Sequence, residues 1–353
     1  MTQLTRAGFA AVAAVAVLFA AGSASAAPNT GLLAVSFSPM TLGSSGTATI
    51  HVSTPQSDDS IAAVNIYTNA GIATGTPGTQ IGSVDATAFA HDAGLNLPLS
   101  GPVTADDPAK HTTDACSPGS NLAVWVMNLS AAGQTLPIPI YINKTTGGAT
   151  AFGAYNLKIC LPPWDVPVGT PGRSFDGAQL LDAKLTVNKL VTAPTSAGLS
   201  VWEMFTTPYT PGKGTPNLAG TFESRALVPL PITLGIKATF KKSTHTWTLS
   251  GKASEGGVAL PAGTSLTVSR GSSATSLKRA GTAKVKTGGA WSMSGKLTGK
   301  KPAYFQISAA LGERDDTSTG CQSPAPATVA PAGCVSATLS AWSAKSAVVH
   351  VKP

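Results

Sequence analysis

The chain has 353 residues, of which 42% are hydrophobic and only 11% are charged, with 37 glycines and 26 prolines. Enough apolar residues are present for a packed core, and long stretches of helix-forming residues with a 3.6-residue period are absent, which disfavours disordered and helical classes. The formal net charge of +8 is divided unevenly, because residues 27–230 carry 8 basic against 12 acidic side chains and residues 231–353 carry 15 against 4.

Residues 1–26 have the pattern of an export signal. Arg6 precedes the uncharged run AGFAAVAAVAVLFAAG, and Ala24-Ser25-Ala26 supplies a small-x-small cleavage site. The run is too short and too rich in alanine for a comfortable membrane span. We therefore expect a signal peptide over 1–26, cleavage after Ala26 and export to the cell surface or the medium, with no membrane span in the mature chain.

Residues 27–228 are predicted to form an all-β domain. Short runs of alternating apolar and polar residues, separated by turn residues, are typical of strands. Eight such runs occur before the hairpin described next: GLLAVSFS, TATIHV, AAVNIYT, TQIGSVDA, NLAVWVMNL, LPIPIYIN, YNLKICL and AKLTVNKL. The segment DGAQLLDAK (176–184) is the one place where the sequence suggests a short helix. Trp125 lies in an apolar run and is expected in the core.

A hairpin is predicted where this domain ends. The runs SVWEMFTT and TFESRALV alternate, and the proline-rich loop TPYTPGKGTPNLAG joins them. The alternation allows Glu203 to pair with Arg225 across the hairpin. Pro229 and Pro231 cannot donate to a strand ladder, so the second strand is expected to stop there. The charge balance also changes at this point, and we place the domain boundary between residues 228 and 229.

Residues 229–353 are predicted to form a second, basic β domain, with strands spaced as in a β-sandwich. The segments LSGKAS, GGVALPAGTSLTV, TGGAWSMSGKL and YFQISA (within 245–309) resemble a bacterial immunoglobulin-like or carboxypeptidase-regulatory-like module. The resemblance implies a sandwich used as a spacer, stabiliser or binder, and it carries no catalytic residue across. The predicted fold class is thus all-β, with two β-sandwich domains of immunoglobulin-like or jelly-roll type after a cleaved signal peptide.

Four cysteines fit an oxidising compartment and allow three pairings. They fall into two groups along the sequence, which favours one bridge per domain, Cys116–Cys160 and Cys321–Cys334. Four free thiols are the alternative. No C-x-x-C motif is present, which disfavours a redox site or a zinc ribbon.

Catalytic motifs are scarce in this sequence. The nucleophile elbow G-x-S-x-G and the phosphate-binding loop are absent, and the five histidines are far apart. Adjacent acidic pairs such as Asp58-Asp59 keep open a secreted carbohydrate-active hydrolase with an accessory immunoglobulin-like domain, although solvated loop acids explain them more simply. A triad assembled from distant Ser, His and Asp residues also stays open. We predict no catalytic residue.

The segment ADDPAKHTTDAC is the candidate for a bound ion. Asp106, Asp107 and Asp114 offer oxygen ligands of the kind that Ca²⁺ prefers. Their spacing departs from D-x-D-x-D-G, and a polar surface loop tied down by Cys116 is the alternative.

Four residues are candidates for ligand binding. Trp164 lies in the loop LPPWDVP, where its ring is free to stack on a sugar, and Tyr209 and Asn217 lie in the proline-rich loop. Arg225 follows in the next strand and completes this candidate site. A structural ion pair between Glu203 and Arg225 is the alternative use of that arginine.

The charge of residues 229–353 suggests the partner. A basic domain outside the cell is drawn to anionic envelope polymers or acidic glycans. A lysine-coated surface that resists edge-to-edge aggregation explains the same charge. Nucleic acid is disfavoured because the chain is expected to be exported and has no nucleic-acid-binding motif. We expect a non-catalytic protein of the cell surface or medium that acts in adhesion, scaffolding or glycan binding.

Overall fold

A computed structural model describes residues 31–131, 133–297, 302–315 and 336–352. The predicted signal peptide and the predicted Cys321–Cys334 bridge lie outside these residues. Within them the chain is all-β, as predicted, and its helical segments are 3₁₀ helices of five residues or fewer. None of the helices in these ranges is long and apolar enough to cross a membrane.

The strands of the described residues alternate with short turns along the whole chain. In chain order they are β1 Leu32–Ser38, β2 Ser45–Ser53, β3 Ile61–Thr68, β4 Gly71–Ile72, β5 Gln80–Ala90, β6 Leu95–Asp106, β7 Ala123–Ala131, β8 Gln134–Lys144, β9 Tyr155–Cys160, β10 Ala178–Thr192, β11 Gly198–Pro208, β12 Phe222–Leu230, β13 Ile232–Leu234, β14 Lys237–Lys241, β15 Thr246–Glu255, β16 Val258–Ala259, β17 Ser265–Ser273, β18 Ser276–Lys284, β19 Ala290–Lys296, β20 Ala303–Leu311, β21 Arg314–Asp315, β22 Ser336–Leu339, β23 Trp342–Lys345 and β24 Val349–Val351.

The N-terminal part, residues 31–230, is dominated by one large sheet. Its strand order is β1-β2-β10-β5-β6-β7-β8-β9-β3-β11-β12-β22-β21, with β4 beside β10. Strands β1 and β12 lie far apart in this order, yet they contact each other. The sheet therefore curls around its inner face, where Trp125 and Trp202 are fully buried. The expectation that Trp125 belongs to the core is confirmed.

The basic part, residues 231–352, contains two further sheets. One has the order β13-β15-β14, with β16 and β19 beside β15, and the other has the order β18-β17-β20-β23, with β24 beside β20. The rings of Trp247 on β15 and Phe305 on β20 lie 4.8 Å apart between their centroids. These buried rings join the inner faces of the two sheets in one apolar core.

The two parts are joined by more than the chain crossing at residue 230. Strand β22 pairs in parallel with β12, so the basic part adds strands to the large sheet. Glu255, at the end of β15, accepts hydrogen bonds at 2.9 and 3.0 Å from the guanidinium of Arg314, which lies on strand β21 of the large sheet, and at 2.7 Å from the Trp342 indole. The predicted domain boundary coincides with the change in charge, but it does not separate all the strands into two independent sets.

The short helix expected within residues 176–184 is wrong. Strand β10 begins at Ala178 and pairs with β2 on one side and β5 on the other. Its later residues Leu185 and Val187 enter the core. Pairing on both edges therefore outweighs the local preference of the segment.

Prolines affect the outcome of two strand predictions. Strand β6 (LNLPLSGPVTAD) was not expected, because Pro98 and Pro102 obscure its alternation. Strand β12 passes through Pro229 and ends at Leu230, directly before Pro231, so the expected stop lies at the second of the two prolines. Strand β22 pairs only with the first half of β12, ending at Leu227, so no hydrogen-bonded neighbour on that side needs an N–H from Pro229.

Candidate functional site

The Cys116–Cys160 disulfide is present, as predicted. It joins the loop between β6 and β7 to the end of β9. The loop leads into the start of β7 at Ala123, whereas the register places Cys160 level with Val126, three residues further along β7. The loop therefore runs over the outer face of the sheet. Val124 and Tyr141, which the alternation places on that outer face, are buried beneath it.

A histidine between two carboxylates holds this loop in place. His111 Nδ1 lies 2.7 Å from Asp114 Oδ2, and His111 Nε2 lies 3.2 Å from Asp106 Oδ2. The Tyr141 hydroxyl donates to the same oxygen of Asp114 at 2.6 Å. Burial works to lower the pKa of His111, but the hydrogen bonds to Asp114 and Asp106 outweigh it, and the pKa lies above its ordinary value.

The pKa values of the two carboxylates are shifted in the opposite direction, below their ordinary value. The hydrogen bonds from Tyr141 and His111 lower the pKa of Asp114. Burial works to raise the pKa of Asp106, but hydrogen bonds from the Asp107 backbone, His111 and Lys110 lower it. Burial and the hydrogen bond to Asp114 raise the pKa of Tyr141. The geometry therefore favours the protonated form of His111 and the ionised forms of Asp106 and Asp114.

These contacts bear on the predicted Ca²⁺ site. Asp106 and Asp114 both face His111, and Asp107 Oδ1 accepts a hydrogen bond from the Ala109 backbone at 3.0 Å. Among the described residues, no three His, Cys, Asp or Glu side chains are arranged to hold a metal ion. The geometry favours an internal ion-pair network, and Ca²⁺ binding by the three aspartates stays a prediction.

Trp164 and Tyr209 are both anchored to Ser60 at the end of the large sheet. The Trp164 indole stacks on the His91 imidazole, with 3.5 Å between the ring centroids and 3° between the planes. The backbone N–H groups of Trp164 and Tyr209 both donate to Ser60, at 3.2 and 2.6 Å, and the Tyr209 hydroxyl donates to the Leu161 carbonyl at 2.8 Å. Trp164 is thus already stacked, in contrast to the free ring that its loop position suggested.

The structure separates Arg225 from the other ligand candidates. The Asn217 backbone donates to the Pro208 carbonyl at 2.8 Å, within the same loop as Tyr209. Arg225 lies on the outer face of β12, where its Nη2 is 2.7 Å from Glu223 Oε1 and its Nε is 3.5 Å from Glu203 Oε1. The expected pairing of Glu203 with Arg225 across the hairpin is confirmed by the register of β11 and β12.

Aromatic and polar side chains share the outer face of four neighbouring strands. The register of β9, β3, β11 and β12 places Asn156, Tyr67, Glu203 and Arg225 in one cross-strand row, and Lys158, Asn65, Phe205 and Glu223 in the next. The Phe152 ring, from the loop before β9, packs 5.5 Å from Tyr67 and 4.9 Å from Phe205 between centroids. We call the surface formed by Phe152 and these two rows the outer aromatic face.

Two buried acceptors on this face have no hydrogen-bond partner among the described residues, Glu203 Oε2 and Asn156 Oδ1. An unsatisfied buried polar group costs about 1–3 kcal/mol, and native structures contain few of them. Burial raises the pKa of Glu203; Arg225 lowers it and Glu223 raises it further. The outer aromatic face therefore holds polar groups that its own neighbours do not satisfy.

A basic cleft lies at one end of the β17–β18 hairpin. Arg270, Lys278 and Arg279 line it, together with Gly271, Ser272, Ala280, Leu297, Pro302 and Ala303, and its volume is about 430 Å³. Arg270 and Lys278 are direct cross-strand partners, an arrangement of like charges that destabilises a sheet. A register shift after Val268 moves Arg279 opposite Ser269. Within the described ranges, none of the three cations has an acidic partner.

Neither surface was identified from the sequence. The alternation of AAVNIYT and SVWEMFTT already places Tyr67 and Phe205 on the outer face of their strands, because the preceding residues Ile66 and Met204 face the core. That β3 and β11 are neighbours, however, follows only from the sheet order. The basic cleft likewise depends on a β-bulge, whose register no local pattern specifies.

No family model and no curated protein matches the chain. A proposal for function therefore depends on the surfaces described above.

Proposed function

We propose that the chain is an exported, non-catalytic protein of two β-sandwich domains, residues 27–228 and 229–353, that binds polymers carrying carboxylate or phosphate groups at the cell surface. The observation that carries this proposal is the basic cleft, in which Arg270, Lys278 and Arg279 lie together without an acidic partner among the described residues. The resemblance of residues 245–309 to an immunoglobulin-like module supports a binding role.

An anionic ligand would remove the repulsion within the cleft. Arg270 and Lys278 face each other across β17 and β18, so a carboxylate or phosphate between them converts a repulsive pair into two attractive ones. The Arg270 guanidinium also lies 5.9 Å from the centre of the Phe305 ring, which restrains its position. A restrained guanidinium loses less side-chain freedom when it binds an anion.

The wider charge of the basic part supports capture of a polymer rather than of a single ion. Residues 231–353 carry 15 basic against 4 acidic side chains, and such a field raises the rate at which anionic partners arrive. Electrostatic attraction of this kind is screened by salt, with a Debye length of about 10 Å at 0.1 M. Binding is therefore expected to weaken steeply as salt is added.

A general lysine surface is the competing explanation, and the chain offers a matched control. Lys237, Lys241 and Lys296 are exposed on the outer face of β14, β15 and β19, on the sheet that does not contain the cleft. Replacing these three by glutamine removes the same charge as replacing Arg270, Lys278 and Arg279. The two triple variants therefore separate the cleft from the net charge.

The experiment measures retention of the mature chain on immobilised polygalacturonate and on a phosphate-containing teichoic acid, with neutral dextran as the blank. We expect the cleft variant to lose about tenfold or more in affinity, and the control variant to lose much less. Equal losses of affinity in the two variants, or retention that does not change with salt concentration, would contradict the proposal. Release of reducing ends from polygalacturonate by the wild-type chain would favour the hydrolase alternative, which stays a prediction.

A further inference from the structure

We infer that the outer aromatic face is a separate binding site for uncharged saccharides, formed by Phe152, Tyr67 and Phe205 with the amide and carboxylate groups beside them. The inference is independent of the basic cleft, because it depends on different residues, a different sheet and a different ligand chemistry.

The aromatic side chains provide an ordered platform. Tyr67 and Phe205 come from adjacent strands and meet edge to face, with 5.7 Å between their centroids and 82° between their planes. Phe152 packs against both and is still 38% exposed. The π faces of such rings are electron-rich, so they attract the polarised C–H bonds on one side of a pyranose ring.

The polar groups around the rings match the hydroxyl edge of a sugar. Asn156 Nδ2 donates to Asn65 Oδ1 at 3.2 Å, and the other amide atom, Asn156 Oδ1, is buried without a donor among the described residues. Glu203 Oε2, on the other side of Tyr67, also lacks a donor there. Both oxygens are buried, so they accept from a sugar hydroxyl or a bridging water only after a neighbouring side chain shifts.

The charges of this face favour a neutral ligand. Arg225 and Lys158 lie in the same two rows as Glu203 and Glu223, so two cations are balanced by two carboxylates. Arg225 is already paired with Glu223 at 2.7 Å. An anionic polymer is therefore attracted only weakly to this face, in contrast to the basic cleft. A positively charged ligand is attracted equally weakly.

The surroundings leave room for a chain of sugar units. The loop that the Cys116–Cys160 disulfide fixes lies along one side, over β7 and β8, and β22 lies beside β12 on the other. Between them the four strands form a floor on which Phe152 is the exposed ring. Such a floor suits an extended oligosaccharide rather than a small molecule enclosed in a pocket.

The test titrates the mature full-length chain with neutral hexasaccharides of glucose, xylose and N-acetylglucosamine, by isothermal calorimetry and by NMR chemical-shift mapping. We expect at least one to bind, with shifts clustered on Tyr67, Phe152 and Phe205. Phe152→Ala should weaken that binding by about tenfold or more, because it removes the exposed ring. Asn156→Ala should weaken it less.

The controls keep this result separate from misfolding and from the proposed function. Phe175→Ala removes another exposed phenylalanine, 68% accessible and in the loop before β10, and should leave binding unchanged. The triple cleft variant should also bind the hexasaccharide normally. Absence of binding by all three hexasaccharides, chemical shifts located elsewhere, or equal affinity of wild type and Phe152→Ala would overturn the inference without affecting the basic cleft.

Discussion

The two parts of the chain use their charged side chains in opposite ways. In the N-terminal part Arg173 lies 2.7 Å from Asp92, Arg225 lies 2.7 Å from Glu223 and Lys110 lies 3.1 Å from Asp106. Among the described residues of the basic part there is one such pair, Arg314 with Glu255, and the cations of the cleft have no acidic partner there. Paired charges hold loops and strands together, and unpaired charges remain available to a ligand.

The outer faces of the sheets show the same difference. The large sheet carries the outer aromatic face, in which rings and amides are half-buried and charges are balanced. The sheet of β14, β15 and β19 instead presents lysines between hydroxyl side chains, and Thr248 Oγ1 lies 2.9 Å from Ser294 Oγ. The first surface is suited to stacking and hydrogen bonding, and the second to long-range attraction. The following predictions test whether the two parts differ as this comparison requires.

The largest effect is expected from removing the cross-link of the N-terminal part. The double change Cys116→Ser and Cys160→Ser opens a loop closed by residues 44 apart in sequence, for which the chain-entropy estimate is about 4 kcal/mol of unfolding free energy. Urea unfolding monitored by tryptophan fluorescence measures the loss.

Hydrogen exchange then locates this effect. Faster exchange should be concentrated in residues 107–122 and in β7 to β9, where Val124 and Tyr141 lose their cover, while β15 and β17 stay protected. Equal acceleration throughout the basic part would mean that the cross-link does not act on the N-terminal part alone.

The contact between β15 and strand β21 of the large sheet should have the next largest effect on unfolding free energy. Glu255→Gln keeps the shape of the side chain but weakens its bonds to Arg314 and Trp342. Because the Glu255 side chain is only 15% exposed, we expect a loss of about 2 kcal/mol in unfolding free energy. The matched change Glu223→Gln weakens the more exposed pair with Arg225 and should cost less than about 1 kcal/mol.

Thermal unfolding of the two variants distinguishes a joint from a local contact. If Glu255 joins β15 to the large sheet through Arg314 on β21, its substitution should split a single transition into two or broaden it. A single sharp transition at an unchanged temperature in Glu255→Gln would show that this residue does not couple them.

Local patterns predicted the strands well and the surfaces poorly, for a physical reason. The alternation in HTWTLSGKA puts Trp247 and Leu249 on one face of the strand, and the structure buries that face, since alternation depends only on the strand itself. Cys116 and Cys160 were paired correctly because they are consecutive cysteines in the sequence, far from the other two. The segment 176–184 was misjudged because its conformation depends on two distant partners, β2 and β5.

The candidate site was harder to predict because it is made by strand order. Trp164 looked free in its loop, but its partner His91 is 73 positions away in sequence and is brought to it by the fold. Arg225 was correctly assigned to a face with Glu203, whereas Tyr67 was not, because β3 and β11 lie far apart along the chain. Contacts within a hairpin can be predicted from its alternation, but those between distant strands require the topology.

The smallest of the three expected effects is on the pH dependence of the unfolding free energy, to which the His111 cluster of the N-terminal part contributes. The pKa of folded His111 is raised, so its contribution to stability is fully present below the unfolded pKa of about 6.5 and is lost as pH rises through the folded value. The lowered pKa values of Asp106 and Asp114 act at the other end, where their contribution is lost as pH falls through the folded values. His111→Gln should cost about 1 kcal/mol near pH 6 and progressively less toward pH 9.

The control for this effect comes from the basic part. His350 is exposed on β24, and His350→Gln should leave the slope of unfolding free energy against pH as it is in the wild type. Urea unfolding at several pH values gives that slope for the three proteins. If His111→Gln kept the wild-type slope, the imidazole would not be held as a cation between the two carboxylates. The loop over Val124 and Tyr141 would then be held by the disulfide and by apolar packing alone. Paired charges would in that case contribute less to the stability of the N-terminal part than the comparison of the two parts requires.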